Sequence, residues 1–432
     1  MSGDESPVDF NVCVVLPAGG YGSRTGVPTP KQFWPIMGKP LIAYTLETFN
    51  RISWVQKIIV TVAEEYSESL EDLVSQHLLD KVHVAIAGAT RHRSIYNGIR
   101  TLSSVCEELD IILINEAARP IVSESVIQEV ALAAQKYGAA GIVRPLISTV
   151  VAVNSDNFLK NSLDRNLYHA SEMPQGFKHD IIKKAYEMCT NDDFENGSEC
   201  LQLVQKYTNV NAYLIDGPSS LWKVTYRKDL YTAEGTLKEK FLKVGLVNIP
   251  DSNLVAALKS HLVDHHIEVC TLDSADQLPK QLTSVVLSQS TVNLDEILET
   301  TEELAQVWTE EPGRFIAGGT VIYLFHTSEE DCFADVWDQL QKSAETLADS
   351  FKDSISPIFI LTKSGQIFIA GPHIYENSGT CFNIFNNDYF QCLCFLVRNK
   401  LQDNKNVTRI AKIVKSLVWE MSDTYAGQVF IA

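Results

Sequence analysis

The sequence predicts two α/β domains in tandem, each a mostly parallel twisted sheet wrapped by helices, and three observations carry that expectation. Short β-branched runs alternate with amphipathic stretches over residues 12–150, the pattern of strand-helix-strand units. A charged helical run around Leu230–Lys243 interrupts the alternation, which then begins again. The 432 residues, 45% of them hydrophobic, suffice for two ordinary cores.

In chain order, Val12–Leu16 reads as a buried strand, Leu41–Asn50 as a helix, Lys57–Val62 as a strand, Ser67–Leu79 as a helix and Val82–Ala87 as a strand. Ile111–Ile114, the helical Glu124–Tyr137 and Gly141–Val143 continue the series. The texture changes over residues 146–177. There Thr149–Val153 reads as an extended ribbon and Asn154–Asn157 as its turn, a protruding β-arm. A helix at Asp180–Met188, a strand at Ala212–Ile215 and the piece Trp222–Tyr226 complete a first domain at 1–238. Over 239–432, strands are expected at Val244–Ile249, Ile267–Leu272 and Pro357–Leu361. Helices at Asn253–His265, Asn293–Trp308 and Val407–Trp419 make this a second, Rossmann-like α/β domain.

Composition removes several classes of function. A formal net charge of −18 argues against DNA or RNA as a partner, because such polyanions are held by counterion release to basic surfaces. No stretch reaches the roughly 18 apolar residues of a membrane span. The start, Met1–Asn11, is polar and acidic, unlike a leader, so the cytosol is the expected address. The nine cysteines are scattered and form no Cys-x-x-Cys pair, which reads as reduced core thiols. Asn196-Gly-Ser198 and Asn406-Val-Thr408 match glycosylation sequons by chance in such a compartment.

The strongest chemical signal is Val12-Cys-Val-Val-Leu-Pro-Ala-Gly-Gly-Tyr-Gly-Ser-Arg24, followed by Pro30-Lys-Gln-Phe33. A buried strand runs into Gly19, Gly20 and Gly22, whose missing Cβ lets backbone N–H groups approach a phosphate chain. A plain tight turn is the alternative for Gly-Gly after a strand. Arg24 and Lys31 flank the loop with charge, which suits a transition state that spreads negative charge over phosphate oxygens. The motif is neither a Walker loop nor a dinucleotide fingerprint. Gly88 and Ser94 follow the strand Val82–Ala87, at the end where open sheets bind ligands, with Arg91 and Arg93 between them readable as a solvated face. Glu116 and Arg119 follow Ile111–Ile114 in the same way. Lys223, taken alone, reads as a surface lysine on an edge strand.

Together, Pro17-Ala-Gly-Gly-Tyr-Gly-Ser-Arg24, Pro30-Lys-Gln-Phe33, Gly88-Ala-Thr-Arg-His-Arg-Ser94, Glu116-Ala-Ala-Arg-Pro120, Asp164-Arg165 and Trp222-Lys-Val-Thr225 resemble the 2-C-methyl-D-erythritol 4-phosphate cytidylyltransferases, over about the first 235 residues. The resemblance implies a nucleotidyltransferase fold acting on CTP and a small sugar-alcohol phosphate. In the animal branch that acceptor is a pentitol phosphate, D-ribitol 5-phosphate, and the product serves glycan building. It implies that Arg24 and Lys31 stabilise the transition state and that Pro17, Ala18, Gly19, Gly20, Gly88 and Ser94 hold the nucleotide. Arg165 and Lys223 would position the acceptor phosphate, with Thr149 and Arg119 as further acceptor-side residues. Glu116 stands where the family has Asp, the expected ligand of Mg²⁺ or another divalent cation. The arm is expected to interlock two subunits of a homodimer and lend Arg165 to the neighbouring site. Competing expectations are 2-C-methyl-D-erythritol 4-phosphate as acceptor, or a catalytically inactive nucleotide-binding module.

Residues 239–432 offer little chemistry. Pro250-Asp-Ser-Asn stands where a glycine fingerprint would follow Val244–Ile249, and no Tyr-x-x-x-Lys pair occurs there. Gly318-Gly319 reads as a turn, and His261, His265 and His266 as a solvated helix face. A non-catalytic domain that stabilises a dimer or binds a partner is the expectation.

Overall fold

In the computed structural model, which describes residues 8–20, 29–36, 39–250, 252–264, 266–272, 282–289, 294–309, 319–326, 355–363, 366–370, 394–396 and 404–420, the run Val-Cys-Val-Val-Leu-Pro forms β1 (Val12–Pro17). Its residues 12–16 are wholly buried, as expected of a strand covered on both faces. The chain divides into two units, Met1–Ala233 and Glu234–Ala432.

In the first unit, β1 is followed by a short antiparallel pair, β2 (Pro35–Ile36) and β3 (Lys39–Pro40), then α1 (Leu41–Asn50), β4 (Val55–Val62), α2 (Ser67–Gln76) and β5 (Val82–Ile86). Next come α3 (Arg91–Val105), β6 (Ile111–Ile114), α4 (Glu124–Tyr137), β7 (Ala139–Pro145), and the two-stranded ribbon β8 (Val151–Val153) and β9 (Leu159–Ser162). The unit continues through β10 (His169–Lys178), α5 (His179–Glu187), α6 (Asn191–Asn196), α7 (Cys200–Thr208) and β11 (Tyr213–Asp216), and α8 (Arg227–Phe241) follows. The sheet runs β11-β7-β10-β6-β1-β4-β5, parallel except for β10, which pairs antiparallel with both its neighbours.

Strand alternation sorts the core into two layers. Val12, Val14 and Leu16 meet α1, α2 and α4 through Ile42, Phe49, Leu70 and Val130. Cys13 and Val15 meet α3, α5 and α7 through Ile95, Ile99, Ile182 and Val204. Helices on both faces leave the carboxyl ends of β1, β4, β5 and β6 along one open edge, and the site is built there.

Three expectations need correction. Residues 146–177 do not form one ribbon, because 169–178 is β10 of the main sheet and the two-stranded ribbon spans β8 and β9 only. Thr149 precedes the ribbon strand, which begins at Val151. Trp222–Tyr226 is irregular, so Lys223 sits on no edge strand.

In the second unit, β12 (Lys243–Val247), α9 (Ser252–Val263), β13 (Glu268–Leu272), β14 (Ser284–Gln289), α10 (Leu294–Thr309), β15 (Gly319–His326), β16 (Ile355–Lys363), β17 (Gln366–Ala370), β18 (Cys394–Leu396) and α11 (Asn404–Glu420) follow in order. The sheet order is β13-β12-β14-β15-β16-β17-β18, with β12 to β16 all parallel. Leu254, Leu258 and Leu262 of α9 and Val407, Ile410, Ala411 and Val414 of α11 are buried, and the two helices pack together. Gly319 opens β15 rather than forming a turn; Gly318 and His265 lie outside the described residues. Among the described residues, no helix is long and apolar enough to cross a membrane.

Candidate active site

A cavity of about 360 Å³ opens at the carboxyl edge of the first sheet. Three strand ends build its wall: Pro17, Ala18, Gly19 and Gly20 after β1, Gly88 to Arg91 and Ser94 after β5, and Glu116, Ala117 and Ala118 after β6. Lys31, Gln32 and Lys223 complete it from outside the sheet. Nine of the residues expected from sequence therefore converge on one hollow: Pro17, Ala18, Gly19, Gly20, Lys31, Gly88, Ser94, Glu116 and Lys223.

Close packing explains two of the glycines. A Cβ on Gly19 would lie 2.5 Å from Ala87 Cβ, and one on Gly88 would overlap Arg93. Gly20 has no such neighbour. The loop is fixed by Gln32, whose buried amide donates to Ala18 O (2.6 Å) and Gly20 O (2.8 Å). Those carbonyl oxygens, which would repel a phosphate, are thereby occupied by a donor. Beside Gly88, the Ser94 hydroxyl accepts from the Gly88 N–H at 3.1 Å. Thr90 caps α3 by accepting from Arg93 N–H, and its own hydroxyl donates to Phe194 O. The amino end of α3, a favourable place for anions, is thus locked against α6.

Charge alternates along the far wall. Glu116 Oε1 accepts from Lys223 Nζ at 2.5 Å, and Oε2 from Arg119 Nε at 2.9 Å. Arg91 stands 3.9 Å from Glu116 Oε1. Burial alone would raise the Glu116 carboxyl, but Lys223, Arg119 and Arg91 outweigh it and hold the group down at about 2. Arg119 is itself buried, with its Nη1 on Leu221 O (3.0 Å) and on Glu172 Oε2 (2.5 Å). Glu172 in turn binds Arg144. The result is a ladder, Lys223–Glu116–Arg119–Glu172–Arg144, running from the cavity through three buried side chains to the half-buried Arg144. Lys31 Nζ donates to Val224 O (2.6 Å), and Val224 N–H to Ala118 O (3.1 Å), which pins the irregular segment carrying Lys223.

The other expected residues lie elsewhere. Arg119 stands behind Glu116 rather than on the cavity wall. Arg165 opens a short 3-10 turn beyond the ribbon, exposed, with Nη1 on Ile147 O at 2.7 Å. Thr149 is exposed near it. Neither lines this cavity. Arg24 lies outside the described residues. Sequence reasoning missed Arg91, Gln32, Glu172 and Arg144. Thr90 directly before an amphipathic stretch was the available signal for Arg91, since it marks a helix start. Arg93, by contrast, pairs at the surface with Glu195 (2.8 Å), matching the solvated reading.

Among the described residues no three His, Cys, Asp or Glu side chains cluster as a metal site. Glu116 is the one carboxylate among the residues lining the cavity, ionised and already bonded to two cations. That donor set fits a divalent cation only as magnesium usually binds, through a single protein oxygen, water and substrate phosphates.

The model of the family described as IspD, 2-C-methyl-D-erythritol 4-phosphate cytidylyltransferase, matches residues 12–239. The D-ribitol-5-phosphate cytidylyltransferase of Xenopus tropicalis is 46% identical over 243 residues, which are 55% of this chain and 59% of the relative. That of Homo sapiens is 41% identical over 291 residues, 64% of each chain. The 2-C-methyl-D-erythritol 4-phosphate cytidylyltransferase of Clostridium acetobutylicum is 31% identical over 233 residues, 54% of this chain and 99% of the relative. The chain spans between 52% and 64% of the length of the first group of relatives.

Proposed function

Since the chain belongs to the 2-C-methyl-D-erythritol 4-phosphate cytidylyltransferase family, we propose that it transfers the cytidylyl group of CTP to D-ribitol 5-phosphate, giving CDP-ribitol and pyrophosphate. The observation that carries this reading is the meeting of Gly19, Gly88, Arg91, Lys31 and Lys223 around one cavity. Greater identity to ribitol-type relatives, 46% against 31%, favours the pentitol phosphate over methylerythritol phosphate.

An oxygen of the acceptor phosphate attacks the α-phosphorus of CTP, and the bond to the β-phosphate oxygen breaks as pyrophosphate leaves. The acceptor is already anionic, so no general base is required; the task is to hold two repelling phosphates in line. Pro17 to Gly20, Gly88 and Ser94 cradle the nucleotide, while Lys31 and Arg24 meet charge that grows on the transferring phosphate. Lys223 orients the acceptor, with Arg119 held behind it by Glu116 and Glu172. A magnesium ion entering with the triphosphate would be held by Glu116 and would neutralise phosphate oxygens.

The ribbon forms the protruding arm of a homodimer and brings Arg165, with Thr149, to the neighbouring site. Exposed apolar side chains at Ile147, Val151, Val153, Phe158 and Leu159 support that role, since such patches mark interaction surfaces. The second unit is a Rossmann-like, non-catalytic domain. The cytosol is the proposed compartment, and the product is a donor for glycan synthesis such as protein O-mannosylation.

Pyrophosphate release with CTP, Mg²⁺ and either D-ribitol 5-phosphate or 2-C-methyl-D-erythritol 4-phosphate tests the reading. The ribitol acceptor should give the higher kcat/KM by roughly tenfold or more, one well-placed polar contact being worth that much. Preference for the other acceptor would reassign the substrate. No release with either, before and after Glu116→Asp, would leave an inactive nucleotide-binding module.

A further inference from the structure

Cys13 and Cys106 face each other across the layer between β1 and the end of α3, their Sγ atoms 3.6 Å apart. Other described thiols bond to oxygen instead, Cys189 to Ala185 O, Cys200 to the Tyr186 hydroxyl and Cys270 to Val244 O. Cys13 is wholly buried in the second position of β1, an interior strand of the sheet, whereas Cys106, the residue capping α3, reaches solvent in part. We propose that Cys13 and Cys106 are an oxidative modification site, a thiol pair that closes to an intramolecular disulfide when the protein meets a peroxide.

Access and acidity set the order of events. Burial, with Cys106 alongside, pushes the Cys13 thiol up to about 12, so the buried sulfur is not the one that attacks the oxidant. Hydrogen peroxide is reduced by two electrons at Cys106, giving the sulfenic acid and water. The Cys13 sulfur then attacks the Cys106 sulfur; the S–S bond forms, the S–O bond breaks, and the Cys13 proton leaves with the departing hydroxide as a second water. The sulfurs need to close by about 1.5 Å to reach the covalent length. The link ties β1 to α3 near the ends remote from Gly19 and Arg91, so it staples the sheet to the helix without entering the cavity. Closing a loop between residues 93 apart also restricts the unfolded chain.

The full chain, treated with hydrogen peroxide, alkylated and digested without reduction, tests this by mass spectrometry. The peptides holding Cys13 and Cys106 should appear as one cross-linked species, two hydrogens lighter than their sum. Dithiothreitol should split it, Cys106→Ser should abolish it, and the oxidised chain should melt several degrees above the reduced one. Oxidation of Cys106 to the sulfinic acid with Cys13 still alkylatable after unfolding would overturn the proposal, as would a bond from either cysteine to another partner, or two unreacted thiols.

Discussion

The two units share a plan, parallel strands with a cavity at their carboxyl ends, yet among the described residues only the first gathers charge around it. Its hollow of about 360 Å³ meets Lys31, Arg91, Glu116 and Lys223. The second unit's hollow, at the ends of β12 and β13, is larger, about 550 Å³. Among the described residues lining that one, Lys259 is the sole cation, and it donates to Thr271 Oγ1 at 3.3 Å. A parallel sheet therefore supplies a place for a ligand, while the residues at its strand ends decide whether chemistry follows. Cavity size alone would have chosen the second unit, which lies almost wholly outside the family match at residues 12–239.

Four experiments can break or sharpen that contrast. The largest effect is expected from Lys31→Ala, which should lower kcat by roughly 100-fold or more, in the range found on removing a single donor to a developing charge. CTP affinity should change far less under the proposed role, in which the lysine meets charge absent from the ground state. Equal losses in both would make Lys31 a simple binding residue.

Glu172→Gln should act next, through the ladder. Losing one of the carboxylates that hold Arg119 lets that arginine move, so the acceptor KM should rise about tenfold, the size of one charge-assisted hydrogen bond, with the CTP KM unchanged. A matching rise for CTP would show general disorder of the cavity instead.

A smaller effect concerns pH. Burial, with Arg91 beside it, pushes His92 down to about 4, so the ring is neutral in the folded chain. Its Nδ1 meets the Tyr186 hydroxyl at 2.8 Å, and its Nε2 has no hydrogen-bond partner among the described residues. The unfolded chain binds this proton at the ordinary value of 6.5. The contribution is therefore complete above that value and is lost as pH falls toward about 4. Urea melts across this window should show the loss, and His92→Gln should flatten it; an unchanged slope would place the titration elsewhere.

The smallest effect should come from Lys259→Ala, which should leave cytidylyl transfer within about twofold, as surface changes away from a site usually do. A large loss would mean that the second unit takes part in the reaction.

Much of the site was legible because its pieces are local. Apolar runs at Val12–Leu16, Val82–Ala87 and Ile111–Ile114 each end in the residues that line the cavity. What escaped depends on distant pairing. The strand β10, His-Ala-Ser-Glu-Met-Pro-Gln-Gly-Phe-Lys, buries Glu172 and Gln175 in place of an apolar run, so periodicity had nothing to detect. Glu172 is buried because Arg119 and Arg144, from two other elements, neutralise it. The helix α3 opens with Arg-His-Arg-Ser and carries Gly98 within it, which hid its apolar face of Ile95, Ile99 and Leu102. In the second unit β14 and β15 went unread although each carries an apolar run, Val285–Leu287 and Val321–Phe325; their order became plain only through pairing with β12 and β16.

Hydrogen-deuterium exchange of the full chain with and without CTP tests the contrast between the units most directly. Protection confined to the segments around residues 17–20, 88–94 and 115–118 is the outcome this account predicts. Protection around 246–272 instead, or no change in either unit, would contradict it.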